Sequence, residues 1–410
     1  MTIPLDRRAF LSAATSLAAS AALGPVSPST PARPAATGPG DPLGVRGDFP
    51  ITASRTYLNS AYIAPIPKQV LAAGQEFMEM RARQPLNVGD LLRQVGATRT
   101  RFARFINASP DEVALLYTTT EGENIVANSI AWVPGDNVVI DDLHYEAAFV
   151  LYRQLEARHG IELRIARNRD GVVEAKDMEP LIDARTRLVS VAWVSPVNGY
   201  RHDMRSIADM AHAHGALVYA DAIQAVGMFP IDVQASGVDA LCCGTYKWLV
   251  AGFGVAPFYV QRAVLDRIQP DRFGAFSVAR ELPGQQFELR KTASKFTYAT
   301  LPFAEVYQLD AALEYLEHVG TSRIEGHTVA LAQRLQDGLL GQGYQLLTPQ
   351  GTRTSIVTFQ LSKDPADLNA ALIAARVDVT VREHEVRVSP ALFNTENDIN
   401  GLLEVTRGRA

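Results

Sequence analysis

Between Glu112 and Val260 the chain alternates short, mostly apolar runs with longer segments whose apolar residues recur at helical spacing, and this alternation narrows the fold more than any other feature. The runs are Glu112-Val-Ala-Leu-Leu-Tyr, Asn137-Val-Val-Ile, Glu162-Leu-Arg-Ile-Ala, Leu188-Val-Ser-Val-Ala-Trp-Val, Leu217-Val-Tyr-Ala, Ala240-Leu-Cys-Cys and Gly254-Val-Ala-Pro-Phe-Tyr-Val. Runs this short and this apolar read as strands buried on both faces, and intervening segments such as Ile207-Ala-Asp-Met-Ala-His-Ala-His read as helices. The expected fold is therefore α/β, a mainly parallel seven-stranded sheet with helices on both faces. The seventh run is expected at an edge, because Pro257 has no amide to donate to a ladder. In such a sheet ligands sit at the carboxyl ends of the strands.

After Thr300-Leu-Pro the pattern changes. A helical stretch from 303 to 318 leads into a smaller α+β arrangement, with a helix near 329–340, strands near 355–361 and 377–381, and a last helix from Thr395. The expected organisation is a leader and linker over 1–47, a large domain over 48–302, and a small C-terminal domain over 303–410 that also takes up the residues before Tyr57. With 47% hydrophobic residues, the 410-residue chain can fill a large core. Its net charge of -5, with Lys and Arg scattered singly, argues against nucleic acid as a partner. The only two cysteines, Cys242 and Cys243, are adjacent in an apolar run, a poor arrangement for a disulfide and a good one for small buried residues.

The first residues differ in kind. Asp6-Arg7-Arg8-Ala9-Phe10-Leu11, an alanine-rich run to Leu23, and a Pro/Ser/Thr/Gly-rich stretch to about Gly47 resemble a twin-arginine export signal and linker. A frayed basic terminus or a plain secretory signal reads similarly. The expectation is an exported, periplasmic protein, cytoplasmic if the leader does not function. The run is too short and too poor in large apolar residues for a membrane span in the mature chain.

Three strand ends carry polar groups that suit one ligand. Lys247 follows the run ending at Cys243, and Asp221 ends the run before it, in Leu217-Val-Tyr-Ala-Asp221-Ala-Ile-Gln224. An amine able to form a Schiff base and a carboxylate able to hold a protonated pyridine nitrogen are the minimum apparatus for pyridoxal 5'-phosphate. Tyr117-Thr-Thr119-Thr120-Glu-Gly122-Glu-Asn124 opens a helix after a strand, where hydroxyls and free amides suit a phosphate. Taken singly, these are also a helix cap, another helix cap and a surface lysine; it is their convergence that points to a site.

These segments resemble the class V aminotransferase family of fold-type I pyridoxal phosphate enzymes, which includes cysteine desulfurases, kynureninase and isopenicillin N epimerase. The resemblance runs from about Tyr57 to Leu403, and no Gly-x-Gly-x-x-Gly supports a dinucleotide fold instead. It implies that Lys247 is the Schiff-base lysine and proton carrier, that Asp221 pairs with the ring nitrogen, and that Gln224 donates to the ring's phenolic oxygen. Thr119, Thr120 and Tyr246 would hold the phosphate, and Tyr145 would stack on the ring, with His144 next door as its competitor. Thr300 matches a threonine that reaches the phosphate across a homodimer. Arg387, in Val386-Arg387-Val-Ser-Pro-Ala-Leu-Phe-Asn394, would bind the substrate α-carboxylate, for which a planar guanidinium is suited.

The substrate side departs from the family's pattern. Desulfurases carry a nucleophilic cysteine shortly before that arginine, whereas this chain reads Val381-Arg-Glu-His-Glu-Val-Arg387. Pro196 stands where asparagine is common, and Thr297 and Ala299 where glutamate and glycine are usual. The resemblance thus implies an enzyme that takes a free amino acid through an external aldimine and quinonoid. β-Elimination of C–S lyase type, without a catalytic cysteine, is the favoured outcome. Transamination and epimerisation are the alternatives, and a non-catalytic binding protein on the same fold is the reading from outside the enzymes.

Overall fold

A computed structural model describes residues 40–409; the twin-arginine-like segment expected at residues 6–23 lies outside them. Seven strands form the central sheet: β1 (Val113–Leu116), β2 (Asn137–Asp141), β3 (Glu162–Ala166), β4 (Thr186–Ala192), β5 (Leu217–Asp221), β6 (Ala240–Cys242) and β7 (Ala256–Val260). Their order is β1-β7-β6-β5-β4-β2-β3. The pairs β3/β2, β2/β4, β4/β5 and β5/β6 are parallel, while β7 runs antiparallel to both β6 and β1.

Alternation along each strand divides the core between the two faces of the sheet. Leu115, Val139, Val189, Val218, Leu241 and Tyr259 belong to one buried cluster. Leu116, Val138, Leu188, Tyr219, Cys242 and Phe258, their immediate neighbours in sequence, belong to the other. The first face is covered by helices α1 (Lys68–Arg83), α2 (Val88–Phe105), α5 (Met204–Ala213) and α6 (Phe303–Val319); the second by α3 (Thr119–Asn128) and α4 (Glu146–His159). In α5 the buried residues Met204, Ile207, Ala208 and Ala211 recur at helical spacing, and Asp203 caps the helix by accepting from the Ser206 amide.

β7 is an interior strand rather than the expected edge. Pro257 is tolerated there because the amide it lacks would face Cys243, one residue beyond the end of β6, while its carbonyl still accepts from the Cys243 amide at 3.1 Å. The proline forfeits one bond where the neighbouring ladder is already ending.

A third cluster lies towards the C-terminus. The strands 357–360, 385–388 and 380–381 form an antiparallel sheet in that spatial order. It packs with α7 (Thr321–Gly341), α8 (Pro365–Ala375) and α9 (Glu396–Thr406) through Leu335, Leu372, Val386 and Leu402. Leu58 joins this cluster, and Thr56–Tyr57 pairs in parallel with Val377–Asp378. α6, by contrast, buries Val306, Leu309, Leu313 and Leu316 in the core of the large sheet. The strip of chain before α1 thus runs along the small sheet, which brings Arg387 near the strand ends of the large one.

Candidate active site

The carboxyl ends of β1, β4, β5 and β6 open into one cavity, lined among others by Thr119, Thr120, Tyr145, Asp221, Gln224, Tyr246 and Lys247. Asp221 is the last residue of β5, and Lys247 lies in the loop that leaves β6. Parallel registration of Asp221 with Cys242 places the two side chains over the same end of the sheet.

Their charges act on each other. Burial lowers the Lys247 ammonium to a pKa of about 8, opposed by attraction to Asp221 and reinforced by repulsion from Arg387. Burial pushes the Asp221 carboxyl above the usual range, against the pull of His144, of a hydrogen bond from the Ile223 amide (3.0 Å to Oδ1) and of Lys247. The loop after Lys247 is tightly held. Val250 donates its amide to the Lys247 carbonyl and adopts φ 48°, a left-handed conformation unusual for a β-branched residue. Gly227, at φ 95°, lets Trp248 approach so closely that a Cβ would lie 2.3 Å from its carbonyl oxygen.

Gln224 is buried and its orientation is fixed. Trp248 Nε1, which can only donate, donates to Gln224 Oε1 at 2.7 Å, and Gln224 Nε2 donates to the Ala61 carbonyl at 2.9 Å. One N–H of the amide is left for a ligand. At the start of α3 the Thr118 hydroxyl accepts from the Glu121 amide, so Thr118, which the sequence reading passed over, is the cap. The amides of Thr119 and Thr120 precede any intrahelical acceptor and are free to bind an anion. Thr119 Oγ1 accepts from the Gly244 amide at 2.8 Å, tying this helix start to the lysine loop. A Cβ at Gly244 would press within 3.1–3.2 Å of Ile223, Tyr246 and Thr119, so the missing side chain keeps a cradle open. A pyridine ring between Asp221 and Lys247, with its phosphate on α3, fits these residues.

Tyr145 and His144 have separate places. Tyr145 is 45% exposed and lines the cavity, whereas the His144 ring is buried and accepts from the Tyr145 amide at 2.7 Å. Tyr145 and Tyr246 also border a wider vestibule with Tyr62, Phe253 and Arg387. Tyr246 stacks on Phe253 with ring centroids 4.6 Å apart. Arg387 Nη1 donates to the Pro196 carbonyl at 2.7 Å, while its Nε is buried without a partner. Burial lowers the guanidinium to a pKa of about 10, which leaves it a cation at neutral pH. Thr300 is not brought to this cavity: it is exposed, and its carbonyl accepts from the Tyr117 hydroxyl at 2.9 Å. Sequence reading also missed Glu123, a buried carboxyl in the cavity wall, although an acid amid the apolar residues of α3 was a visible signal.

The model of the aminotransferase class-V family matches residues 56–402. The chain belongs to the class V aminotransferases. Members of this family are pyridoxal phosphate enzymes. This class V chain is 31% identical to a cysteine desulfurase of Shigella sonnei, over 88% of its own length and 96% of the relative's. It is 27% identical to an uncharacterized aminotransferase, YcbU, of Bacillus subtilis, over 87% and 95% of the two chains. Among solved structures, a cysteine desulfurase from Thermococcus onnurineus in its apo form superposes with a TM-score of 0.83 at 23% identity, covering 89% of this chain and 97% of that one. A complex of the cystine C–S lyase C-DES with its product cysteine persulfide superposes at 0.81 and 21% identity, covering 87% and 98%. These two superpositions establish the fold that the class V enzyme shares with them.

Proposed function

We propose that this class V enzyme acts at the Cα of a free amino acid and releases a β-substituent, as in C–S bond lysis. The observation that carries the reading is the convergence of Lys247, Asp221 and Arg387 on one cavity system. Bound pyridoxal phosphate supplies the electron sink that makes a bond at Cα breakable. Asp221 would hold the ring nitrogen's proton, Gln224 would donate its remaining N–H to the phenolic oxygen, and Tyr145 would cover one face. Thr119, Thr120 and Tyr246 hold the phosphate. Lys247 would hold the cofactor through Nζ, and its amine, whose pKa burial lowers to about 8, would be the group placed to take a proton from the substrate Cα. Arg387 keeps Nη1 on the Pro196 carbonyl and presents its remaining N–H groups to the substrate carboxylate.

Elimination without a persulfide on the protein is favoured by the placement of the cysteines. Cys242 and Cys243 are buried in and just after β6, with thiols pushed well up by burial, and the 381–387 segment near the vestibule contains none. The test is product analysis with cysteine-like substrates: pyruvate and ammonia without an added acceptor support the reading. A keto acid formed only when an acceptor is supplied shows a transaminase, and a racemised amino acid an epimerase. Lys247→Ala is expected to remove visible cofactor absorbance, and an unchanged spectrum rules out the assignment of that lysine. The reading includes a homodimer, supported by exposed Thr300 and by the exposed rings of Tyr62 and Phe253 at the vestibule. It also includes export through the Arg7-Arg8 leader; fractionation that finds the full-length chain in the cytoplasm overturns that part.

A further inference from the structure

Glu123 has no part in the chemistry above, yet it is buried and reaches the cavity that takes the cofactor. Its Oε1 accepts from the Ser190 hydroxyl of β4 at 2.7 Å. Ser190 Oγ lies 3.2 Å from His144 Nε2, and His144 Nδ1 lies 2.7 Å from the amide of Tyr145. An amide can only donate, so Nδ1 is an acceptor and the imidazole proton sits on Nε2. Every link then has one direction: the Tyr145 amide donates to His144, His144 to Ser190, and Ser190 to Glu123. His144 thus points its Nε2 at Ser190 Oγ, and its hydrogen bonding reaches Glu123 through that hydroxyl.

The groups facing Glu123 are His144, Tyr152 of α4, Ser190 of β4, and Tyr219 and Asp221 of β5. None of them is a lysine or an arginine. Two carboxyls sharing a buried wall cannot both ionise cheaply, and Asp221 is the one that the Ile223 amide and Lys247 stabilise as an anion. Burial accordingly pushes the Glu123 carboxyl above its usual range, outweighing His144 and Ser190.

We propose that Glu123 is a positioning residue held as a neutral carboxylic acid, so that Asp221 is the single anion under the cofactor ring and the His144–Ser190 relay anchors Tyr145 against that ring. This rests on the pyridoxal phosphate reading of the cavity. Two measurements on the holoenzyme test it. Infrared difference spectroscopy of wild type against Glu123→Gln at neutral pH is expected to show the C=O stretch of a buried, protonated carboxylic acid that the variant lacks. A pH titration of the cofactor's visible absorbance is expected to show an alkaline transition in wild type, as Glu123 loses its proton beside Asp221, that Glu123→Gln abolishes. A carboxylate band in place of the acid band, or identical titrations in both proteins, overturns the proposal. The same preparations separate the two readings. Visible absorbance that Lys247→Ala removes, with no acid band sensitive to Glu123→Gln, sinks the Glu123 assignment alone. No visible absorbance at all sinks both.

Discussion

Arg387 shows what a single buried cation can be asked to do. One N–H is committed to the Pro196 carbonyl, and Nε is buried without a partner, a cost that a carboxylate ligand would relieve. Arg387→Ala is therefore expected to weaken binding of an amino-acid substrate by about 2–5 kcal/mol, read from the substrate dependence of the visible spectrum. Arg387→Lys should restore only part of it, because an ammonium cannot form two parallel bonds. Lys247 makes a prediction about stability. Its pKa falls from 10.5 in the unfolded chain to about 8 in the folded one, so between those values the unfolded state binds more protons and stability rises with pH. Below pH 8 both states are protonated and the fold bears the whole cost of the buried charge, roughly 3 kcal/mol at 1.4 kcal/mol per pKa unit. Cofactor-free Lys247→Met should be more stable than cofactor-free wild type at pH 7, with the difference fading as the pH passes from 8 towards 10.5. Denaturation of both proteins across that range checks it, and a difference that grows with pH contradicts it.

At the scale of elements, the site depends on how closely α3 approaches β6. A Cβ at Gly122 would lie 2.5 Å from Cys242 Cβ and 2.8 Å from its Sγ, atoms that cannot swing aside as a long side chain would. Helix propensity favours Gly122→Ala by at most about 1 kcal/mol, whereas overpacking costs about 1–3 kcal/mol, so the substitution should destabilise. It should also tilt the start of α3, where Thr119 and Thr120 sit, and weaken inhibition of cofactor binding by inorganic phosphate; thermal melts and a competition titration read the two effects separately. The strands of the large sheet were legible because burial on both faces leaves a run of apolar residues. The neighbours of β7 were not, since Pro257 reads as an edge residue until the end of β6 is located. The hairpin of Val278–Leu282 and Gln286–Leu289 also went unread. It turns at Pro283-Gly284-Gln285, with φ 77° at Gly284 and 60° at Gln285, a signal set between strands that are half-buried or exposed and so lack apolar alternation.

At the scale of the whole molecule, Thr300 is the expected phosphate residue that lies outside the cavity of its own chain. If it completes a phosphate site across a dimer, sedimentation should find a dimer, and Thr300→Ala should weaken cofactor retention without changing the thermal stability of the cofactor-free protein. A monomer that keeps its cofactor fully would contradict this. The sequence alone determined the fold class and the cofactor, and singled out Lys247 and Asp221 as its candidate partners, because apolar periodicity and strand-end polar residues are local patterns. Tertiary structure decided the rest. The separation of His144 from Tyr145, the capture of the Pro196 carbonyl by Arg387, and the seat of Glu123 beside Asp221 join residues 98 and 191 positions apart or differ by a single position. No local pattern encodes such distances; they are set only when helices close over both faces of the sheet and bring its strand ends against the small C-terminal sheet.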